Sequence, residues 1–203
     1  MLKIIRNYRQ LSPEWFEIRA GKVGGSSIGK IVTATGKKST QRQSFLYQLA
    51  AEILTGKKTE SYSNQNMADG IEREPQTRME FQFITMDQVE EVAGMENTDY
   101  PGVFVSPDGL IVGEDAGLEL KSVIPATQVK YLDKGILPTE YRLQCQISLM
   151  VTEWDTWKFF SFCPGLPGLH VIVHRDEKLI QIIKDEVARF LEDLNNLVTK
   201  LRA

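Results

Sequence analysis

Two carboxylates and one lysine are the residues of this sequence whose types and spacing could do chemistry together. Asp108 lies in a Ser-Pro-Asp-Gly turn, and Glu119 and Lys121 follow at alternate positions of a Leu-Glu-Leu-Lys run. Alternate side chains of a strand share one face, so Glu119 and Lys121 point the same way. Two carboxylates from adjacent strands form a hard-oxygen site that suits Mg²⁺, and a lysine beside them can stabilise the negative charge of a reacting phosphate. The pattern therefore indicates metal-assisted hydrolysis of a phosphodiester.

The same three residues also have an ordinary structural interpretation. A solvent-exposed strand face explains the acid–lysine pair, a turn explains Asp108, and the spacing alone favours this interpretation. Nearby polar residues shift the balance towards chemistry. Glu74 lies on a predicted helix, and Gln144 and Gln146 lie on a helix whose other residues are mostly apolar. Taken singly these are a surface acid and two core amides, whereas together with the strand residues they would complete a polar pocket.

The segment that carries these residues must fold as a hairpin if Asp108 is to reach the acid–lysine pair. Strand-like residues flank a Pro-Asp-Gly bend over 103–112, and a loop with two glycines follows over 113–117. Residues 118–123 have the alternation of a strand. The sequence therefore predicts that Asp108 lies on the strand next to that pair.

The remaining elements are predicted from periodicity, turn residues and capping signals. Ser12 and Pro13 open a short helix. Glu74 falls on a helix predicted over about 65–83, which Pro75 is expected to kink or split, because proline lacks the amide of a helical hydrogen bond. Periodicity further along predicts helices over 125–133, 139–152 and 176–201 and strands over 156–163 and 169–174. Helices, a central sheet and further helices predict one mixed α/β domain over residues 1–203.

Composition and charge limit the class of protein. The chain of 203 residues is 42% hydrophobic and 25% charged, which is typical of a globular protein, and neither a signal peptide nor a membrane-spanning run is evident. Cys145 and Cys163 have no metal-type spacing and are expected to be reduced core residues of a cytosolic protein. The net charge of −3 argues weakly against passive coating of DNA, which favours basic proteins. It is neutral towards a nuclease, because metal-binding acids can mask a basic groove.

The order of several short motifs resembles the phage lambda exonuclease family. The motifs are, in chain order, Glu14-Trp15, Arg19-x-Gly21, Ser26, Gly70-x-x-x-Glu74, Ser106-Pro107-Asp108-Gly109, Leu118-Glu119-Leu120-Lys121 and Gln144-x-Gln146. This family, also called the viral recombinase or alkaline exonuclease family, belongs to the PD-(D/E)xK nuclease superfamily, and the resemblance spans residues 12–180. It implies the PD-(D/E)xK fold, with a central mixed β-sheet flanked by helices. It also implies Mg²⁺-dependent 5′→3′ digestion of one strand of linear double-stranded DNA, which leaves 3′ overhangs for phage recombination.

The resemblance also implies roles for individual residues. The implied metal ligands are two carboxylates, one backbone carbonyl and one supporting carboxylate: Asp108, Glu119, Leu120 and Glu74. Lys121 would be the catalytic lysine, and Gln144 would orient the attacking water. The groups implied to hold the 5′-terminal phosphate are one guanidinium and two hydroxyls, which suit a phosphate dianion: Arg19, Ser26 and Ser106. Gly24 and Gly25 make the segment before Ser26 unusually flexible for that role.

The resemblance further implies two Mg²⁺ ions per site with Mn²⁺ as a substitute, a ring of three subunits around DNA, and a single-strand annealing partner in the cytoplasm of a bacterial host. Two other functions remain open. An endonuclease of restriction or junction-resolving type would use the same metal core but would cut closed circles. A non-catalytic DNA-binding module on the same scaffold would have no need to keep mutually repelling acids together. Five basic residues are either DNA-backbone contacts or ordinary solvated charges: Lys37, Lys38, Arg42, Lys57 and Lys58.

Overall fold

The computed structural model describes residues 1–58 and 65–203, and of residues 65–71 the backbone alone. The helices are α1 (Pro13–Arg19), α2 (Arg42–Thr55), α3 (Gln65–Thr85), α4 (Pro125–Lys134), α5 (Thr139–Thr152) and α6 (Glu177–Arg202), with a 3₁₀ helix over Gly25–Lys30. The strands are β1 (Leu2–Ile5), β2 (Val23–Gly24), β3 (Val89–Glu90), β4 (Gly94–Asn97), β5 (Val103–Phe104), β6 (Gly109–Ile111), β7 (Ala116–Ser122), β8 (Thr156–Phe162) and β9 (Leu169–His174).

A mixed sheet of five strands lies at the centre of the described residues, in the order β3-β6-β7-β8-β9. β7 and β8 pair in parallel, with Glu119 opposite Phe159, and the other neighbours pair antiparallel. Two smaller pairs join β1 to β4 and β2 to β5. The mixed sheet and its flanking helices confirm the fold class expected from the sequence.

The two faces of β7 and β8 have different neighbours. Leu118 and Leu120 pack with Phe160 and with Phe81 of α3 in one buried cluster. On the opposite face Phe159 belongs to the larger core, which includes residues of α5 and α6. Because side chains alternate along a strand, the odd-numbered residues of β7 face α5 rather than α3. The sheet therefore turns the acid–lysine pair of β7 towards α5.

Helix α3 packs across the sheet and is continuous through Pro75. The Thr77 and Ser122 hydroxyls are 2.6 Å apart, and the rings of Phe81 and Phe160 meet edge to face with centroids 5.5 Å apart. These contacts lie on the C-terminal side of Pro75 and hold that half of the helix on β7 and β8. Of the two outcomes expected for Pro75, a kink or a split, the split does not occur.

Most of the apolar side chains of α6 are buried inside the molecule. Its Phe190 stacks on Phe45 of α2, with centroids 5.5 Å apart, and its other buried apolar residues join the same core. Cys145 and Cys163 are buried and form no disulfide, as expected. Within the part of the chain that the structure describes, no helix is long and apolar enough to cross a membrane.

Asp176 caps α6, and its replacement tests that cap. Its carboxylate accepts from the Leu179 amide at 3.1 Å and pairs with Arg142, and the cap hydrogen bond holds the pKa of Asp176 below its usual value. We expect Asp176→Ala to lower the free energy of unfolding by about 1 kcal/mol at pH 7, measured by urea denaturation. Because the folded pKa is lowered, this contribution is present above about pH 4 and disappears as the pH falls through the folded pKa. Asp185→Ala, on the exposed face of α6, is the control and should change stability by less than about 0.5 kcal/mol.

Candidate active site

Asp108 lies at the start of the hairpin formed by β6 and β7. Its amide donates to the Leu118 carbonyl at 2.9 Å, and its Oδ2 accepts from the Leu120 amide at 2.6 Å. A side chain at Gly109 would overlap that of Val89, which explains why glycine follows the acid. The hairpin predicted from the sequence is therefore present, and it fixes the Asp108 carboxylate on the neighbouring strand.

Glu119 and Lys121 form a close ion pair on β7. Glu119 is 2% exposed, and the Lys121 ammonium also lies 5.2 Å from the centre of the Tyr141 ring of α5. A carboxylate this deeply buried does not belong to a solvated strand face. The acid–lysine pair is therefore not part of a solvent-exposed strand face.

The ionisable groups of this cluster perturb one another strongly. Burial raises the pKa of Glu119 to about 7, with Lys121 acting against the shift and Asp108 adding to it. Burial also raises the pKa of Asp108, against the attraction of Lys121. Burial alone would lower the pKa of Lys121, but the Glu119 and Asp108 charges outweigh it and raise the pKa. Lys121 thus stays protonated, whereas ionisation of the buried Asp108 and Glu119 carboxyl groups costs free energy. Binding of a further cation beside these carboxylates would reduce that cost.

Glu74 of α3 reaches the same cluster and is held there by Arg78. Arg78 Nη2 donates to Glu74 Oε1 at 2.6 Å and to the main-chain carbonyl of Asp108 at 3.1 Å, and its Nη1 is 2.9 Å from Glu91. Burial raises the pKa of Glu74 to about 7, and the Asp108 charge adds to the shift. Sequence reasoning missed Arg78. Its position four residues after Glu74 on a helix was the available signal, since such pairs share a helix face.

The two glutamines of α5 have different environments. Gln144 is half-buried near the start of the 3₁₀ helix, where a Cβ on Gly25 would lie 3.8 Å from its Cγ. Gln146 is buried, donates to the His174 carbonyl and accepts from the Asp176 amide, both at 2.8 Å. Residues two apart on a helix do not share a face. The expectation that both complete one polar pocket is therefore wrong for Gln146, which is a satisfied core amide.

Arg19 is fixed between an aromatic ring and a glycine. Its guanidinium carbon lies 3.9 Å from the centre of the Trp15 ring, whose Nε1 donates to the Ala93 carbonyl at 2.8 Å. A Cβ on Gly24 would lie 3.2 Å from the guanidinium, so glycine leaves room for it. Burial lowers the pKa of Arg19 to about 10, and the Glu52 carboxylate opposes the shift. The side chain therefore remains cationic at neutral pH and packs between Trp15 and Gly24.

Ser26 and Ser106 lie on segments adjacent to this arginine. Ser26 is exposed on the 3₁₀ helix. The Ser106 hydroxyl is buried and has no hydrogen-bond partner within the described residues. Gly25 and Val105, the neighbours of the two serines, approach so closely that a Cβ on Gly25 would lie 3.6 Å from Val105. Packing thus restrains the glycine-rich segment.

A cleft of about 590 Å³ opens beside the acids, between the N-terminal segment and α3. The Gln10 amide donates to the carbonyls of Val92 and Pro107 at 2.9 and 2.7 Å, which ties this segment to the turn that carries Asp108. Leu11 follows with a positive φ of 68° and an exposed side chain. The cleft is lined by Arg6, Asn7, Tyr8, Arg9, Gln10, Leu11, Glu74, Pro75, Arg78, Glu91, Val92 and Asp108.

The described residues contain no group of three His, Cys, Asp or Glu side chains close enough to hold a metal ion by themselves. The Asp108 and Glu119 carboxylates lie on adjacent segments of one hairpin, and the backbone carbonyl of Leu120 lies between Glu119 and Lys121 on β7. Glu74 belongs to the same electrostatic cluster.

The basic residues outside the cluster divide into two groups. Arg42 bridges Glu186 and Asp193 of α6 at 3.4 and 3.2 Å, and Lys58 is 2.9 Å from the buried Glu52, so both have structural partners. The others are exposed: Lys37, Lys38 and Lys57.

Comparisons with known proteins agree on the kind of fold. Residues 14–155 match the family model described as a YqaJ-like viral recombinase domain. An alkaline exonuclease from Laribacter hongkongensis is 30% identical, with a TM-score of 0.85 over 94% of this chain and 96% of that one. The same exonuclease in complex with dAMP superposes with a TM-score of 0.84. A phage-related exonuclease from Haemophilus somnus, 17% identical, has a TM-score of 0.67 over 89% of this chain and 96% of that one, which shows a shared fold alone.

None of the curated proteins matches this chain. The family model nevertheless covers well over half of it, from the Glu14-Trp15 motif to Asp155, three residues beyond α5. The chain therefore belongs to the YqaJ-like viral recombinase family and has the PD-(D/E)xK fold of the alkaline exonucleases, which makes it a nuclease, a hydrolase that acts on DNA.

Proposed function

We propose that this protein is a Mg²⁺-dependent exonuclease that digests one strand of linear double-stranded DNA from its 5′ end and leaves 3′ overhangs. The observation that carries the proposal is the buried cluster of Asp108, Glu119 and Lys121, which one hairpin assembles beside an open cleft. A DNA-binding module without catalysis gains nothing from burying mutually repelling acids, because each costs stability when it ionises.

The chemistry of the donor set fits a divalent cation. Asp108, Glu119 and the Leu120 carbonyl would offer the hard oxygen ligands that Mg²⁺ and Mn²⁺ prefer, and Glu74 would support a second ion or its waters. Burial raises the pKa of both Glu74 and Glu119 to about 7, and the negative charge of the neighbouring Asp108 carboxylate adds to each shift. A bound divalent ion would offset that charge, polarise the scissile phosphate and lower the pKa of a bound water.

Lys121 and Gln144 act on the reacting groups in this proposal. The Lys121 ammonium remains protonated because the neighbouring carboxylates raise its pKa. It therefore stabilises negative charge on the phosphate as the bond to the leaving oxygen breaks. The half-buried Gln144 amide, on α5 opposite the strand, hydrogen-bonds and orients the attacking water.

Arg19, Ser26 and Ser106 hold the 5′-terminal phosphate in this proposal. The Ser106 hydroxyl supports the assignment, because a buried hydroxyl without a partner is costly unless a ligand satisfies it. Arg19 supplies a preorganised cation, since Trp15 and Gly24 restrict its guanidinium from two sides. Ser26 is exposed nearby and can donate without unfolding its turn.

Replacing Arg19 tests the phosphate site. We expect Arg19→Ala to reduce the preference for 5′-phosphorylated over 5′-hydroxyl ends by about 10- to 100-fold, because a hydrogen bond to a charged group contributes about 1.5–3 kcal/mol. Digestion rates of two duplexes that differ in the terminal phosphate alone measure this ratio. Arg189→Ala, at an exposed position of α6, should leave the ratio unchanged. Equal losses on both kinds of end would refute the role of Arg19.

A digestion experiment tests the overall function. A linear duplex labelled at either strand end and a closed circular duplex are incubated with the protein, with Mg²⁺ or with EDTA. We expect metal-dependent loss of the 5′ label while the circle stays intact. Cutting of the circle would identify an endonuclease of restriction or junction-resolving type, and no cutting in Mg²⁺ or Mn²⁺ would identify a binding module.

The assembly and setting of the enzyme belong to the same proposal. A ring of three subunits would enclose the DNA and explain processive digestion, and a single-strand annealing protein would take over the 3′ overhang during phage recombination in the bacterial cytoplasm. Light scattering of the purified protein tests the ring directly. A monomer at micromolar concentration, with or without DNA, would contradict it.

A further inference from the structure

Arg78 is a largely buried cation that the proposed mechanism does not yet use. Its side chain is 11% exposed. Nη2 donates both to the Glu74 carboxylate of its own helix and to the main-chain carbonyl of Asp108, at 2.6 and 3.1 Å. Nη1 lies 2.9 Å from Glu91, just beyond β3. One guanidinium therefore joins three segments that are separate in sequence.

These contacts relate the position of Glu74 to that of Asp108. The Asp108 carboxylate is already fixed on β7 by the Leu120 amide. Because Glu74 and Arg78 both lie on α3, the bond from Arg78 to the Asp108 carbonyl ties the helix that carries Glu74 to the hairpin, and movement of α3 relative to the hairpin would break it. A guanidinium presents its donors in a rigid plane, whereas a lysine ammonium is a point charge on a flexible stem. The contact thus depends on shape as well as charge.

We propose that Arg78 is a positioning residue, which sets the place of Glu74 relative to Asp108 for divalent-cation binding. This inference rests on the proposed function. The partner that faces solvent, Glu91, is 68% exposed and contributes an outer contact of little energy. The partner that matters is Glu74, since loss of a group that orients a metal-supporting carboxylate costs about 10- to 100-fold in metal affinity or activity.

Three single substitutions test the proposal: Arg78→Ala, Arg78→Lys and the control Glu91→Gln. We expect both Arg78 variants to lower kcat and to raise the half-saturating Mg²⁺ concentration, each by about 10- to 100-fold. The KM for linear duplex should change little. Titration calorimetry with Ca²⁺, which needs no turnover, should show the same weakening of metal binding. Glu91→Gln should stay within about twofold of the wild type in every measurement, as expected for an exposed ion pair.

A double substitution separates positioning from direct contact with DNA. If Arg78 acts through Glu74, adding Arg78→Ala to Glu74→Gln should cost less than about twofold, because one interaction cannot be lost twice. A full additional loss in the Glu74→Gln background would overturn the proposal, as would wild-type metal affinity in Arg78→Lys. Melting curves monitored by circular dichroism identify a variant that fails to fold. If Arg78→Ala is such a variant, Arg78→Lys, which keeps the charge, carries the test. An inactive wild type would count against the proposed function instead.

Discussion

Asp108→Asn is expected to abolish cleavage while raising the melting temperature of the metal-free protein. The amide removes a ligand from the proposed metal site, so we expect turnover on linear duplex to fall by about 1000-fold. It also removes a negative charge that helps to raise the pKa of Glu74 and Glu119 to about 7. The Asn oxygen can still accept from the Leu120 amide, so the hairpin keeps its hydrogen bond.

The gain in stability has a defined pH dependence. A carboxyl whose folded pKa lies above its unfolded value destabilises the fold progressively as the pH rises from the unfolded pKa to the folded pKa, and the full penalty persists at higher pH. For Glu74 and Glu119 that penalty develops between about pH 4.5 and about pH 7, so Asp108→Asn should help most at pH 8–9 and least near pH 5. We expect a rise of about 2–4 °C at pH 8, which corresponds to about 1 kcal/mol in a chain of this size. Saturating Mg²⁺ should stabilise the wild type and remove the difference.

Lys121→Met is the matched comparison. It should also abolish cleavage, but it removes the cation that balances Glu119 and Asp108, so the melting temperature of the metal-free protein should fall. Opposite thermal shifts in two inactive variants are difficult to obtain from general damage to the fold. An Asp108→Asn protein with near-normal turnover, or Glu119→Ala or Lys121→Ala with such turnover, would show that the metal site is misassigned.

Gly117→Ala is expected to be the most disruptive single-methyl change in the sheet. Gly117 lies opposite Trp157 in the parallel pairing of β7 and β8, and an added Cβ would lie 2.5 Å from Trp157 Cζ2. Trp157 is completely buried and stacks on Trp154, so its ring cannot move away from an added methyl group without disturbing the core. We expect the free energy of unfolding to fall by about 3 kcal/mol, measured by urea denaturation.

Activity should decrease in the same variant even where it remains folded, because β7 also carries Glu119 and Lys121. Gly29→Ala is the control, since a Cβ there meets nothing within 4 Å, and it should change neither stability nor activity. A second substitution, Trp157→Phe, should recover part of the stability lost in Gly117→Ala by shortening the ring. Additive losses in the double variant would mean that the overlap is not the cause.

Local signals predicted the elements that local interactions determine. The sequence gives both ends of the helix over 139–152 and of the strand over 169–174 correctly, because periodicity and turn residues lie within each segment. It gave no sign of β1 or β2. Leu2 pairs with Asn97 and Val23 with Val103, so a distant partner makes these short segments into strands.

The contacts of the candidate site also differ in whether they join neighbouring or distant segments of the chain. Asp108 and the acid–lysine pair could be placed together because a hairpin joins neighbouring segments. The contact of Arg78 with the Asp108 carbonyl and the packing of Arg19 between Trp15 and Gly24 depend on how distant segments pack, which spacing does not encode.

The labelling rates of the two buried thiols can report how often different parts of the molecule open. Cys145 is fully buried in α5, where burial and the Glu119 charge raise the pKa of its thiol, and Cys163 is buried at the end of β8. A thiol in that condition reacts with a disulfide reagent once its segment opens, so each labelling rate reports the opening of one region. The labelling rate of Cys145 reports opening of α5 next to Glu119. The labelling rate of Cys163 reports opening at the end of β8. Labelling with and without DNA would therefore separate stiffening at the site from stiffening of the whole molecule.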